Sequence, residues 1–391
     1  MRVGDKQECY NVRTMQSDGS RVWCAARPLI GTMIGVGMLG LPFAVVRVGV
    51  WFGMVELVLS ALVCYLVLRL YGDLIVLRGG KARFIQVIDK ELGHFGTGVA
   101  SIAYIGATFG ALLAFLLFGG QFLRTVTFGI FPMTPTESSM AFFFLASILT
   151  IGGSLFIARV QRVLIPIFLF CICCLVVVAA PNATAAHFAL PASMDGLGLT
   201  FGVMLFSFHG MSALPEMRDI LGKKVSLLSR SIGVGTMVVT AVYAAFILAV
   251  IGVTGAQTTE NAIRGLSVLG SSFVLFASGI ALLVTFTVYT NVASALTNTF
   301  LYDLRMRFAH AWLLTAGIPL VAFFAGAQKI SSVLSITGGV LGSLTGIMML
   351  IAYERARVSA ELPKNSLNIS QWAIALTFVI FVSTMVSTTL R

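Results

Sequence analysis

The sequence predicts an all-α, polytopic membrane protein, and three observations predict it. Hydrophobic residues make up 58% of the 391-residue chain and charged residues only 10%, with a mean hydropathy of +0.97. A water-soluble domain carries about a quarter charged residues, so this chain has too few to cover a solvated surface. Apolar stretches recur along it, each long enough as a helix to cross ~30 Å of hydrocarbon. Lys and Arg, finally, gather in alternate connecting loops, the pattern that orients a chain in a bilayer.

Residues 1–24 are polar and mixed in charge. They read as a cytoplasmic tail without a cleavable signal, which would need an apolar core. Apolar segments then fall at about 25–46, 50–77, 96–127, 139–157, 162–181 and 196–221. Five more follow at about 230–253, 267–302, 309–326, 332–353 and 370–390, giving eleven expected spans. The division between the fourth and fifth is drawn at Arg159, Gln161 and Arg162, which interrupt the apolar run. With the spans so placed, twenty-one Lys and Arg fall on one side and five on the other. This bias predicts an N-terminus in the cytoplasm, a C-terminus outside, and residence in a cell membrane, plasma or inner.

The net charge of +11 does not imply nucleic acid, because the basic residues sit in short loops between spans. None of the six cysteines falls in an expected external loop, so no disulfide framework is implied. Cys171, Cys173 and Cys174 have no His or carboxylate beside them in the apolar run and read as small buried hydrophobes. Of the sequons at Asn182 and Asn368 only the first falls outside, where a eukaryotic secretory pathway alone would glycosylate it, and both read as chance matches.

Two short segments resemble each other. Gly37-Met38-Leu39-Gly40-Leu41-Pro42 in the first span and Gly210-Met211-Ser212-Ala213-Leu214-Pro215 in the sixth share the pattern G-M-x-small-L-P. They lie five spans apart in oppositely directed segments, as an inverted repeat requires. The repeats would be residues 25–181 and 196–353, with 370–390 an additional C-terminal span. Glycine weakens a helix and proline removes a backbone donor. In lipid such a break survives only where a cavity or ligand satisfies the freed groups. Spans one and six are therefore expected to be discontinuous. Close helix packing through Gly31 and Gly35 is the plainer alternative.

The run from Gly31 to Pro42, Gly-Thr-Met-Ile-Gly-Val-Gly-Met-Leu-Gly-Leu-Pro, resembles the first-helix signature of the tryptophan/tyrosine permeases. These are hydroxy and aromatic amino acid permeases of the amino acid–polyamine–organocation superfamily. Phe208-His209-Gly210 is similar to the Phe-His-Gly of the same family. Auxin/amino acid permeases share a similar first-helix pattern. The resemblance implies a five-plus-five inverted-repeat, leucine-transporter-like fold, a substrate site between helices one and six, and proton-coupled uptake of an amino acid. It implies no cofactor.

On that reading, Ile34, Gly35, Val36 and Gly37 bind substrate through the backbone, and Phe206, Ser207, Phe208 and His209 form the opposing wall. His209 lies mid-span, where an ionisable group is costly and usually functional. With an imidazole's near-neutral titration it is one proton-coupling candidate. Glu216 is the second, and Arg218 and Asp219 beside it read as a gating cluster or as solvated charges. Glu56, in the outer third of the second span, faces a neighbour's hydroxyl or leans to the interface. The eighth span holds Thr285, Thr287, Thr290, Asn291, Ser294, Thr297 and Asn298. By analogy with inverted-repeat transporters, Gly31, Ile34, Thr287 and Thr290 are positions for a coupling sodium ion. The alternative is hydrogen bonding between helices.

An intramembrane enzyme needs a nucleophile–base pair or a metal cluster at depth. Three of the four histidines (His94, His187 and His310) lie near expected loops, and no zinc-type H-E-x-x-H pattern occurs. A channel or non-transporting sensor is a further alternative, since broken helices also line pores.

Overall fold

The computed structural model describes residues 17–78, 84–151, 154–302, 304–359 and 370–390. The N-terminal tail up to residue 16, Cys9 and the sequon at Asn368 lie outside the described residues. Helices make up nearly everything described, and no strand occurs among the described residues.

The first span is a pair, α1 (Asp18–Met33) and α2 (Leu41–Val48), bent by 52° across the break between them. α1 begins seven residues before the expected span, so the tail ends earlier than residue 24. Ser17 caps it by accepting from Ser20 N, and Asp18 in the first turn suits the positive end of the helix. α3 (Val50–Arg78) is the second span. α4 (Phe84–Thr127) is the third, kinked at Gly93, whose φ of 65° is the left-handed conformation that glycine tolerates. α5 (Pro135–Ile151) opens on a capping box, Thr134 N donating to Glu137 Oε2 and Glu137 N to Thr134 Oγ1. The backbone donor holds the Glu137 carboxyl below the usual carboxylate range.

α6 (Ser154–Ala179) starts before Arg159 rather than after Arg162, which corrects the expected division between spans four and five. Arginine is a good helix former, whereas the Gly152-Gly153 pair in the sequence is not. The sixth span is again a pair, α7 (Leu197–Ser207) and α8 (Leu214–Leu221). α9 (Leu228–Thr254) is the seventh, followed by the short α10 (Ala262–Gly265) in a connecting loop. α11 (Ser271–Tyr302) and α12 (Phe308–Phe324) are the eighth and ninth. The tenth runs from α13 (Ile330–Ser335) through a π-helical stretch, Ile336–Gly342, into α14 (Ser343–Val358). α15 (Gln371–Thr389) is the last. Each of the eleven expected spans thus has a helix or a helix pair.

Apolar side chains are exposed where lipid would touch them. On α3, Val55, Val58, Leu59 and Leu62 form an outward stripe. The opposite face carries buried Gly53, Leu57 and Ser60. At the basic ends, Arg78 pairs with Glu91, and Arg69 pairs with Asp73 at 3.4 Å. Lys224 donates to Asp18 at 2.7 Å, tying the start of α1 to the loop after α8. That bond holds the Asp18 carboxyl below its usual range, with Arg21 and Arg230 adding to it. A depressed carboxyl contributes at neutral pH and ceases to as pH falls through its folded value. Being exposed, this pair contributes little to stability.

Glycine sets the spacing of α7 against the π-helical stretch. A side-chain carbon at Gly338 would overlap the Gly202 carbonyl oxygen and crowd Phe206 N, so the two backbones touch. Gly338→Ala is expected to lower thermal stability in detergent by about 1–3 kcal/mol, the usual cost of overpacking. Gly98→Ala, where a side chain meets nothing within 4 Å, is expected to leave the melting temperature unchanged or slightly raised.

Candidate functional site

The first break follows from three glycines and a proline in the eight residues from Gly35 to Pro42. Ile34 N still bonds Ile30 O at 2.8 Å, completing α1. Gly35 is then extended (φ −142°, ψ −162°), and a tight 3-10 turn, Val36–Gly40, leads into α2 with Pro42 in its first turn. The first main-chain bond of that turn is Met38 N to Gly35 O at 3.3 Å. The N–H groups of Gly35, Val36 and Gly37 precede it, like the orphan donors at any helix start.

The second break is built alike. α7 ends with Phe208 N on Met204 O at 2.9 Å and His209 N on Phe206 O at 3.1 Å. A 3-10 turn, Met211–Ala213, then leads into α8, with Pro215 again in the first turn. The pattern shared by the two sequence segments thus produces the same local structure twice: glycine, short 3-10 turn, proline-started helix.

The two breaks adjoin. A Cβ at Gly37 would meet the Phe206 ring at 2.9 Å and Ser207 Oγ at 3.3 Å. One at Gly210 would meet Leu29 Cδ1 at 2.5 Å and Met33 Cε at 2.8 Å. Between them stands Tyr243 of α9, fully buried, its hydroxyl 2.6 Å from Met33 O and 2.8 Å from Ser207 O. It donates to one carbonyl at a time and so holds the ends of α1 and α7 on one atom. On the far side of the breaks, Thr200 Oγ1 of α7 donates to Ala44 O of α2 at 2.9 Å.

The expected site residues are brought together, with differences of role. Gly35 opens into empty space, no atom lying within 4 Å of where a side chain would project. Ile34 and Val36 bury their side chains and leave only backbone to a ligand. Phe208 is also buried, packed on the Tyr243 ring with centroids 5.1 Å apart, so it supports the wall rather than forming its surface. The Ser207 hydroxyl is spent on Val203 O at 2.9 Å. Phe206 and His209 are half-buried, and Phe206 lies 6.3 Å from Phe115 of α4, centroid to centroid.

Glu216 lies exposed on the first turn of α8. A carboxylate there suits the helix dipole. The eighth-span hydroxyls mostly bond their own helix: Thr285 to Ala281 O, Thr287 to Val284 O, Thr290 to Phe286 O and Thr287 O. Thr297, which reaches Thr315 on α12 at 3.2 Å, does bond between helices. Gly31 is buried in the last turns of α1. Two surface cavities, of about 790 and 610 Å³, share Gln121, Arg264 and Ser267 in their linings, and neither is lined by residues of the breaks. Among the described residues no group of His, Cys, Asp and Glu is arranged to hold a metal ion.

A family model, the tryptophan/tyrosine permease family, matches residues 19–388, which takes in both breaks and every span. The chain belongs to the tryptophan/tyrosine permease family. It is a multi-pass membrane protein of an amino acid transporter family, not an enzyme. The fold is similar to that of a crystal structure of MhsT in complex with L-phenylalanine, with a TM-score of 0.66 at 13% identity. That likeness covers 94% of this chain and 97% of the other and identifies the five-plus-five inverted-repeat architecture. No curated protein matches the chain.

Sequence reasoning missed Tyr243 in this permease. The one available signal is a tyrosine midway along an otherwise apolar seventh span, where its hydroxyl needs a partner. Tyr243→Phe removes the bridge while keeping the ring. It is expected to cost about 1–3 kcal/mol of thermal stability for the carbonyls left unbonded. Uptake should fall at unchanged membrane insertion; equal melting temperature and equal uptake would refute the bridging role.

Proposed function

We propose that this permease is a secondary active, proton-coupled symporter of aromatic or other neutral amino acids, working by alternating access. The observation that carries the reading is the pair of adjoining breaks, with Gly35 opening into space at the first and Phe206 and His209 partly exposed at the second. The N–H groups of Gly35, Val36 and Gly37 suit a carboxylate, as helix starts do, and the carbonyls ending α1 suit an ammonium. Phe206 with Phe115 offers an aromatic side chain the edge-to-face packing that rings prefer. The bound L-phenylalanine of the MhsT structure, at 13% identity, is in keeping with that class.

The protein lies in a cell membrane, plasma or inner, with its N-terminus cytoplasmic and its C-terminus outside, by the distribution of Lys and Arg. His209, at the break, is the stronger of the two expected proton carriers. The exposed Glu216 fits a solvated acid at a helix start better. A sodium-coupled reading has one observation in its favour. Thr287 and Thr290 give their hydroxyl hydrogens to their own helix, which leaves their oxygen lone pairs free to accept a cation, with Gly31 and Ile34 the other expected ligands.

Purified protein in liposomes is expected to accumulate an aromatic or hydroxy amino acid under an inward proton gradient. It should also exchange labelled for unlabelled substrate, which a channel does not accelerate. Accumulation under a sodium gradient alone would select the second reading, and no uptake under either would end both. Gly35→Ala is expected to fold normally, since the space is open, yet to weaken substrate binding; Gly37→Ala should instead lower stability by pressing on Phe206. His209→Ala is expected to abolish gradient-driven uptake beyond any loss of protein, whereas equal losses would make His209 structural.

A further inference from the structure

Glu56 lies on α3, six residues from its start at Val50 and so about 9 Å along the helix. It does not lean to the membrane surface. The residue is only 7% exposed, and Oε2 is buried without a hydrogen-bond partner among the described residues. Its neighbours on the same helical face place it. Gly53, one turn before, is where a Cβ would meet Val45 Cγ1 of α2 at 2.6 Å, and Ser60, one turn after, donates to Met204 Sδ of α7 at 3.7 Å. Glu56 therefore belongs to the seam where α3 meets α2 and α7, the two half-helices that Thr200 ties to each other.

Among the described residues no counter-charge is built for it. On its own helix the next charged residue is Arg69, thirteen positions on and about 20 Å away along the axis, already paired with Asp73. α2 carries only Arg47, which is exposed and stacked on the Phe43 ring at 4.8 Å. α7 carries no titratable side chain. α9 carries Arg230, at its basic end, and Tyr243, whose hydroxyl serves the breaks. The charged groups of α8 (Glu216, Arg218 and Asp219) and the titratable groups of α14 (Tyr353, Glu354, Arg355 and Arg357) belong to the basic end. On α4, Asp89, Lys90, Glu91 and His94 lie toward that end as well. Tyr104 stacks on Phe84, and Arg124 donates to Met133 O. A carboxylate buried without a cation or donors is strongly disfavoured, whereas the neutral acid is tolerable.

We propose that Glu56 is a proton-binding site of the transport cycle. Its carboxylate takes a proton from water before α2 and α7 can close on α3, and returns that proton to water when they part. Protonation and the packing of the outer half-helices are then two readings of one equilibrium. This rests on the proton-coupled reading but can be judged apart from it.

The experiment is substrate exchange and gradient-driven accumulation in proteoliposomes across a range of pH, for the wild type and Glu56→Gln. The amide mimics the neutral acid in size and cannot release a proton. E56Q is expected to keep exchange, to lose its pH dependence, and to stop at equilibration. A coupled wild type can reach about tenfold accumulation per pH unit for one proton. A wild-type pH profile and accumulation in E56Q would overturn the proposal, as would a folded E56Q that no longer exchanges. Should E56Q not reach the membrane, Glu56→Asp carries the test. A carboxyl drawn back by one methylene should displace the pH profile of exchange, and an undisplaced profile overturns the proposal. A wild type that ignores the proton gradient defeats the coupling reading alone, and the pH profile of exchange still decides Glu56.

Discussion

Breaking a helix inside a membrane frees main-chain groups where there is no water to take them, and this protein does it twice within a few ångströms. The Tyr243 hydroxyl is the interaction that makes the double break tenable. It stands between Met33 O and Ser207 O, the carbonyls at the ends of α1 and α7, and has one hydrogen to share between them. An unpaired buried carbonyl costs about 1–3 kcal/mol, so two abutting helix ends would otherwise strain the bundle where it must stay open. Because the tyrosine comes from α9, a third element fixes the distance between the breaks. The N–H groups of Gly35 to Gly37 precede the first main-chain bond of the following turn.

Around that point the packing is done by absence of side chains. Gly37 admits the Phe206 ring, Gly210 admits Leu29 and Met33, and Gly202 with Gly338 lets α7 lie on the π-helical stretch of the tenth span. Small residues at such contacts let membrane helices approach closely, because lipid gives little hydrophobic force to hold them. The half-helices are thereby joined in like pairs. α2 and α7 share the Thr200–Ala44 bond, and α1 meets the second break through Gly210.

α3 bears most of the unusual electrostatics. Its first half shows lipid an apolar stripe, while buried positions carry Glu56 near one end of the helix and the Arg69–Asp73 pair near the other. The paired groups offset one another's burial, and the lone acid has nothing to do so. That asymmetry is why Glu56 is read as a group whose charge changes during the cycle and Arg69–Asp73 as a fixed tie.

Much of the architecture was legible from one-dimensional pattern, because lipid imposes a simple rule: apolar length makes a span, and basic loops orient it. The eleven spans follow from it, and the two breaks and the inverted repeat from the glycine and proline segments shared by the first and sixth spans. Boundaries were less legible. Arg159 and Arg162 read as an interruption but propagate a helix, and residues 18–24 read as tail but extend α1. What tertiary structure alone decided is which polar atoms meet. A tyrosine 36 residues beyond Ser207 bridges both breaks, Phe208 turns into the core against that tyrosine, and most threonines of α11 bond their own carbonyls. The physical reason is that span formation depends on summed transfer free energy along the chain, which composition carries. The pairing of a buried hydroxyl or acid depends on ångström-scale distances between segments far apart in sequence, which composition does not carry.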